Sequence, residues 1–189
     1  MNAQAPSVVV FDREGHLASL QRPVLRAMGA FNNGLVCTEQ ALLKELVIGR
    51  EIVLLNWSED WDGLVELVKT IRHRKTSPDP FVGIIIASQT LNHSKSRAAV
   101  DAGASSLLAI PFSAGHIMTH IRYVATKRWR FIDAPNYFGP DRRVHSELPQ
   151  EERRREQCRI LEGDELVAER QRMRETTLAA LEIKVAHAG

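Results

Sequence analysis

The chain has 189 residues, 44% hydrophobic and 25% charged, with a formal net charge of +2 at pH 7. That length allows one domain of roughly 120–150 residues with an appendage, and so small a net charge argues against a nucleic-acid or membrane-surface field. No apolar run approaches the length of a bilayer span, the first seven residues lack the basic region of a signal peptide, and Cys37 and Cys158 do not make a disulfide framework. A cytoplasmic protein in a reducing compartment is therefore expected.

Strand and helix signals alternate through the first two thirds of the chain. Val8-Val9-Val10-Phe11 is a β-branched run ending at Asp12, and a helix is expected from about Leu17 to Met28. Asn32-Asn33-Gly34 reads as a break before a strand at Leu35-Val36-Cys37, and Thr38 is placed to cap a helix running through Leu46. Ile52 to Leu55 is a third strand, tipped by Asn56. Trp57 and Trp61 then sit on a loop, and Asp62-Gly63 turns into a helix with apolar Leu64, Leu67, Val68 and Ile71 on one face. Thr76-Ser77-Pro78-Asp79-Pro80 is a loop before the strand Val82–Ile86, which ends at Ser88. A helix from about Ser94 to Ala102 stops at Gly103. Leu107 to Ile110 is a fifth strand closed by Pro111-Phe112, and Ser113 opens a helix to about Lys127.

Strands apolar on both sides, separated by one-faced helices, require a parallel sheet covered on both faces. Five such units predict an α/β fold with a doubly wound sheet in the flavodoxin-like order 2-1-3-4-5, followed by a C-terminal helical or partly disordered tail. Ligands in such sheets sit beyond the carboxyl ends of the strands, which gives Asp12, Asn56, Ser88 and Ile110 a common location.

Over roughly residues 7–127 those positions resemble the receiver domain of response regulators. In that family two acids after the first strand hold magnesium, and an aspartate ending the third strand accepts a phosphoryl group. A hydroxyl residue ends the fourth strand, and a lysine precedes a Pro-Phe pair after the fifth. Here the acidic pair reads Asp12-Arg13, the acceptor Asn56, the hydroxyl Ser88 and the lysine Ile110, with Pro111-Phe112 kept and Leu107 at the aromatic switch position. An amide has no anionic oxygen with which to attack phosphorus. Arg13 puts a cation where magnesium needs oxygen ligands, and Ile110 removes the charge that would neutralise a transferred phosphoryl group. The resemblance therefore implies a degenerate pseudo-receiver, with Arg13 reaching Asp12 or Glu59 and protein groups filling the site. No catalysis, cofactor or metal is expected.

Ser88 reads as a hydrogen-bonded cap or turn residue, Pro111 as a residue that follows a cis bond in receivers, and Leu107 as core or half-buried. Trp57 and Trp61 read equally as a binding hot spot or as packing over the site. His116 and His120 have a metal-pair spacing without a legible third ligand. No Gly-rich phosphate loop or nucleophile elbow appears.

After residue 128 the string Tyr137-Phe138-Gly139-Pro140-Asp141-Arg142-Arg143 is similar to tails of stand-alone bacterial receiver proteins. Its aromatics, with Trp129 and Phe131, suit a strap packed on the domain or a docking peptide. From about Pro149 the chain is densely charged with both signs interleaved, which reads as a solvated helix with a break at Gly163-Asp164. The expected organisation is residues 1–127 as the receiver-like domain, 128–148 as the strap and 149–189 as the charged tail.

The resulting expectation is a non-catalytic adaptor in bacterial signal transduction. Its partner would be a histidine kinase, a regulator, a motor component or a second copy. The partner-facing residues would be Leu107, Pro111, Phe112, Tyr137, Phe138, Arg142 and Arg143. The alternative is a sensor of a phosphate-bearing ligand such as a cyclic dinucleotide, gripped by Arg142, Arg143 and Arg153-Arg154-Arg155. The neighbouring acids argue against that alternative, and against nucleic acid.

Overall fold

The computed structural model describes residues 5–141 and 158–186. Strands β1 (Val8–Phe11), β2 (Phe31–Val36), β3 (Ile52–Asn56), β4 (Gly83–Ser88) and β5 (Ser106–Ala109) form one parallel sheet in the order β2-β1-β3-β4-β5. Helices α1 (His16–Ala27), α2 (Glu39–Ile48), α3 (Trp61–Arg72), α4 (His93–Ala102) and α5 (Ala114–Thr126) connect them. One core joins Val9, Val53, Leu55, Ile84 and Ile86 to the apolar faces of α2, α3 and α4; the other joins Val8, Val10, Leu54 and Ile85 to α1 and α5. The continuous apolar strands are explained by this burial on both faces.

Caps fix the helix starts. Thr38, Asp60, Asn92 and Ser113 each accept a backbone N–H of the first turn that follows. Asp60 thus starts α3 at Trp61, so Asp62-Gly63 lies inside the helix and Trp61 is its first residue instead of a loop residue. The break expected at Asn32-Asn33-Gly34 is also corrected, because those residues lie within β2. A Cβ on Gly34 would lie 3.1 Å from the Cα of Val9, so glycine there permits the close approach of β2 to β1. Cys37 falls just past the strand and is exposed.

Beyond α5 the described residues form further regular elements. β6 (Phe131–Ala134) and β7 (Tyr137–Pro140) form an antiparallel hairpin. β8 (Arg159–Leu161) pairs with β6 on the other side, giving the order β7-β6-β8. Helix α6 (Gly163–Ala186) follows. Phe131 and Leu161 are buried with Phe81 of the α3–β4 loop, and Phe138, Leu166 and Met173 pack around them. The three phenylalanine rings lie 5.0–5.8 Å apart in tilted and edge-on arrangements.

The solvated helix expected here is therefore corrected in its N-terminal half, where the residues facing the body are Leu166, Glu169, Arg170 and Met173. Arg170 makes a forked ion pair with the fully buried Asp79, with nitrogen–oxygen distances of 2.7–3.2 Å. Glu169 is also buried and accepts from Arg74 and Arg172. Burial by itself would raise the Glu169 carboxyl pKa. The hydrogen bonds and charge of Arg172, helped by Arg159 and Arg74, outweigh it and hold the group below its ordinary value.

Arg72 joins the two parts from below. It is buried at the end of α3, where Nε donates to the Gly103 carbonyl at 2.9 Å and Nη1 donates to the carbonyls of Pro80 and Val82 at 2.7 and 2.6 Å. Its guanidinium also lies 5.5 Å from the centre of the Phe131 ring. Desolvation lowers its pKa to about 10, which leaves it a cation near neutral pH.

Candidate functional site

The carboxyl ends of β1, β3, β4 and β5 bring Asp12, Asn56, Ser88 and Ile110 to one end of the sheet, as their positions in the sequence require. Asp12 follows β1 and its carboxylate is fully engaged. Oδ1 accepts from the backbone N–H groups of Glu14 and Gly15 at 3.2 and 2.9 Å. Oδ2 accepts from the N–H of Ala18 at 2.8 Å and from Asn56 Nδ2 at 3.2 Å. Gly15 at the α1 cap has φ +77° and provides no side-chain cap, so Asp12 satisfies the free N–H groups that open α1.

Asn56 is closed off from its other side by Gln21 of α1, which is completely buried. Gln21 Nε2 donates to Asn56 Oδ1 at 2.6 Å, and Asn56 Nδ2 donates back to Gln21 Oε1 at 2.9 Å. The nitrogen of Asn56 thereby faces the carboxylate of Asp12. The reverse orientation would set oxygen against oxygen at Asp12 Oδ2 and Gln21 Oε1 and nitrogen against nitrogen at Gln21 Nε2, so the network specifies the amide.

Arg13 does not enter this network. The expected contact with Asp12 or Glu59 is replaced by an ion pair with Glu39 at 2.8 Å, and the guanidinium lies 4.7 Å from the centre of the Trp57 ring. The flat ring and the nearby α2 carboxylate offer the planar cation a better seat than the occupied oxygens of Asp12. Trp57 is buried, stacks on Phe11 at 5.9 Å and 15°, and donates Nε1 to the Asp60 carbonyl at 2.6 Å. It packs over the site instead of projecting from it.

Ser88 is buried and its hydroxyl accepts the backbone N–H of Thr90 at 3.2 Å, a turn contact. Thr90 Oγ1 donates to the Ser58 carbonyl and accepts from Lys95 Nζ at 2.9 Å, which ties the loop after β4 to the loop after β3. Ile110 packs half-buried on the α1–α5 side, and Leu107 packs half-buried on the other. The Ile110–Pro111 peptide is cis; Pro111 is exposed, and Phe112 is half-buried against the same core as Ile110.

Above Asp12 and Asn56 lies a cavity of about 220 Å³ rimmed by Glu14 and Glu59. The donors do not fit magnesium. Both oxygens of Asp12 already accept N–H groups, the second acid is Arg13, and Asn56 turns its NH₂ toward Asp12. What this arrangement can do is hold α1 against β3.

Elsewhere, His120 Nδ1 contacts Ser106 Oγ at 2.7 Å, and burial followed by the charge of His116 lowers its pKa. No group of three metal-ligating residues occurs among the described residues. Tyr137 is half-buried and donates its hydroxyl to the Pro140 carbonyl, while Phe138 packs on Phe81. Arg142, Arg143 and Arg153-Arg154-Arg155 lie outside the described residues.

Gln21 escaped the sequence reading. Its signal was available, since a polar residue stands between Ala18 and Leu25 on the inward stripe of α1. Arg72, the Asp79–Arg170 pair and Glu169 carried no such signal, because charged residues on loops and helices are usually solvated.

No protein-family model and no curated protein matches the chain. Solved structures do. A response regulator from Thermotoga maritima aligns over 65% of this chain and 99% of its own, with 21% identity and a TM-score of 0.52. The signal receiver domain of a response regulator from Bermanella marisrubri aligns over 65% and 100%, with 20% identity and a TM-score of 0.53. Chemotaxis protein CheY4 of Vibrio cholerae aligns over 63% and 98%, with 15% identity and a TM-score of 0.54. The parallel five-stranded portion thus has the fold of receiver domains, and about a third of the chain lies outside these matches.

Proposed function

We propose that this chain is a phosphorylation-incompetent receiver-like protein acting as a non-catalytic protein–protein interaction module in signal transduction. The observation that carries the reading is the closed network Asp12–Asn56–Gln21, in which protein groups occupy the oxygens that an ion and a phosphoryl group would need. Three features support it further. Asn56 lacks a nucleophilic oxygen, Ile110 supplies no cation, and Arg13 is committed to Glu39 and Trp57.

Without an acceptor there is no phosphorylation step to alter the surface, so output follows from the amount of protein and the identity of its partner. The fold is one that occurs in response regulators, and this reading takes a kinase, another regulator or a second copy as the partner. The partner residues of this reading are Pro111 and Phe112 at the start of α5, Leu107 on the other face of the sheet, and Tyr137 on the hairpin. Phe138 supports that hairpin through Phe81.

The test is a titration of the full chain with beryllofluoride and magnesium, followed by tryptophan fluorescence. Trp57 borders the site, so occupation of it would change the emission. An unchanged signal is expected. A saturable quench would refute the reading.

A further inference from the structure

We infer that the end of α5 and the start of α6 form a docking groove for an acidic segment of a partner protein, one that carries an apolar anchor. The groove measures about 660 Å³ and lies where β3, β4 and β5 begin, at the opposite end of the sheet from Asn56. Its floor belongs to the core, since Ile52, Phe81, Val124 and Phe131 are buried. What it offers a partner is its lip, where Trp129 and Leu166 are half-buried and Val167 is 61% exposed. These three apolar side chains leave water fully only when a partner's side chain enters between them.

On the α5 side of the lip the charge has one sign. The sequence has no acidic residue between Asp101 and Asp133, and none between Glu14 and Glu39. The fold sets α5 of the first stretch beside α1 of the second, against the same core. Arg22 and Arg26 are exposed on α1. Arg122 and Arg128, near the end of α5, are exposed and make no ion pair among the described residues. Lys127 also meets no carboxylate there, since its Nζ lies 2.7 Å from the Tyr123 hydroxyl and 4.3 Å from the centre of the Trp129 ring. In a chain whose net charge is only +2, this local excess favours a partner surface of opposite sign.

Across the groove the sign reverses. Glu51 and Asp164 line that side, Glu51 accepting from the Ser7 N–H at 2.7 Å and Asp164 lying in the first turn of α6. Arg170 also lines the groove but is committed to Asp79. A bound segment therefore lies with its acids over α5 and its anchor between Trp129 and Val167. A nucleic acid would use the arginines, leave the apolar lip empty and set phosphates against Glu51 and Asp164. A protein segment satisfies both the cations and the lip, which decides the class of partner.

The groove adds the chemistry of a partner to the adaptor reading and shares no residue with the Asp12–Asn56–Gln21 network. A chain that accepted a phosphoryl group could dock a partner in the same way, so the two tests fail separately.

Selection from a random peptide display library on the full chain, followed by calorimetric titration of the selected peptides, tests the assignment. The expected peptides are rich in aspartate and glutamate around a leucine or aromatic anchor. Val167→Asp, which puts a carboxylate on the lip, should weaken them about tenfold or more, as should Arg122→Glu combined with Arg128→Glu. All three positions are exposed, and circular dichroism checks that the variants fold. Lys69→Glu combined with Lys75→Glu, on α3 and the loop after it, should leave binding unchanged. Failure to select any peptide, or selection of peptides without acids, would overturn the site, and so would peptides indifferent to Val167→Asp. A single-stranded oligonucleotide or phosphatidylglycerol vesicles bound more tightly than the peptides would overturn the choice of a protein partner.

Discussion

Gln21 and Asn56 hold each other through two reciprocal amide hydrogen bonds, 2.6 and 2.9 Å long, between α1 and the tip of β3. Both residues are buried, so neither amide can turn to water if the other is lost. Gln21→Leu should therefore leave an oxygen and an N–H of Asn56 unpaired and cost about 2–3 kcal/mol. The double change Gln21→Leu with Asn56→Leu should cost less than the two single changes added together. Urea unfolding of the four proteins measures this, and simple additivity would show that the pair is not coupled.

The ion pair between Asp79 and Arg170 is asymmetric, since Asp79 is fully buried and Arg170 retains 27% side-chain exposure. Arg170→Ala strands a carboxylate in the interior and should cost about 3–5 kcal/mol. Asp79→Asn keeps an acceptor for the Phe81 N–H and lets Arg170 rehydrate, so a loss of about 1 kcal/mol is expected. Truncation after Lys127 removes Arg170 and also uncovers Phe81, and it should yield an unstable protein. Thermal unfolding of the three variants distinguishes this from a tail that is merely attached.

Arg72 offers a test of geometry at constant charge. A lysine cannot reach the carbonyls of Gly103, Pro80 and Val82 together, because it lacks the planar fork. Arg72→Lys should destabilise the chain by about 2–4 kcal/mol, read by urea unfolding. A loss within error of zero would mean that charge alone is sufficient there.

The Glu169 carboxyl gives a pH dependence of known sign. Its folded pKa lies below the ordinary value of 4.5, so the folded state favours the ionised form. The associated stability is fully present above pH 4.5 and is lost as pH falls through the lowered folded value. Unfolding free energies of the native chain and Glu169→Gln should therefore differ most near neutrality and converge in acid. A gap that widens as pH falls would contradict the assignment.

Much of the parallel sheet was legible because its signals are local. Apolar runs at Val8–Phe11, Ile52–Leu55 and Ile84–Ile86, with caps at Thr38 and Ser113, identify element and order together. Residues Asp12, Asn56 and Ser88 followed from the rule that strand ends gather at one side of the sheet. Where the reading failed, the deciding contacts came from residues distant in the sequence. Asn32-Asn33-Gly34 lies in β2 because the backbone of β1 comes so close that glycine fits there. Arg13 turned to Trp57 and Glu39, a choice set by what surrounds it in space. The stripe of α6 that meets the body contains Glu169 and Arg170 between Leu166 and Met173, so no apolar period announced it.

The most direct test of the central claim is chemical. The full chain would be incubated with acetyl phosphate and magnesium, and its intact mass recorded alongside that of Asn56→Asp. The account predicts no added phosphoryl mass on the native chain, because Asn56 has no attacking oxygen and its Oδ1 is held by Gln21. A native chain that gains one phosphoryl group, mapped to the end of β3 or to Asp12, would contradict it.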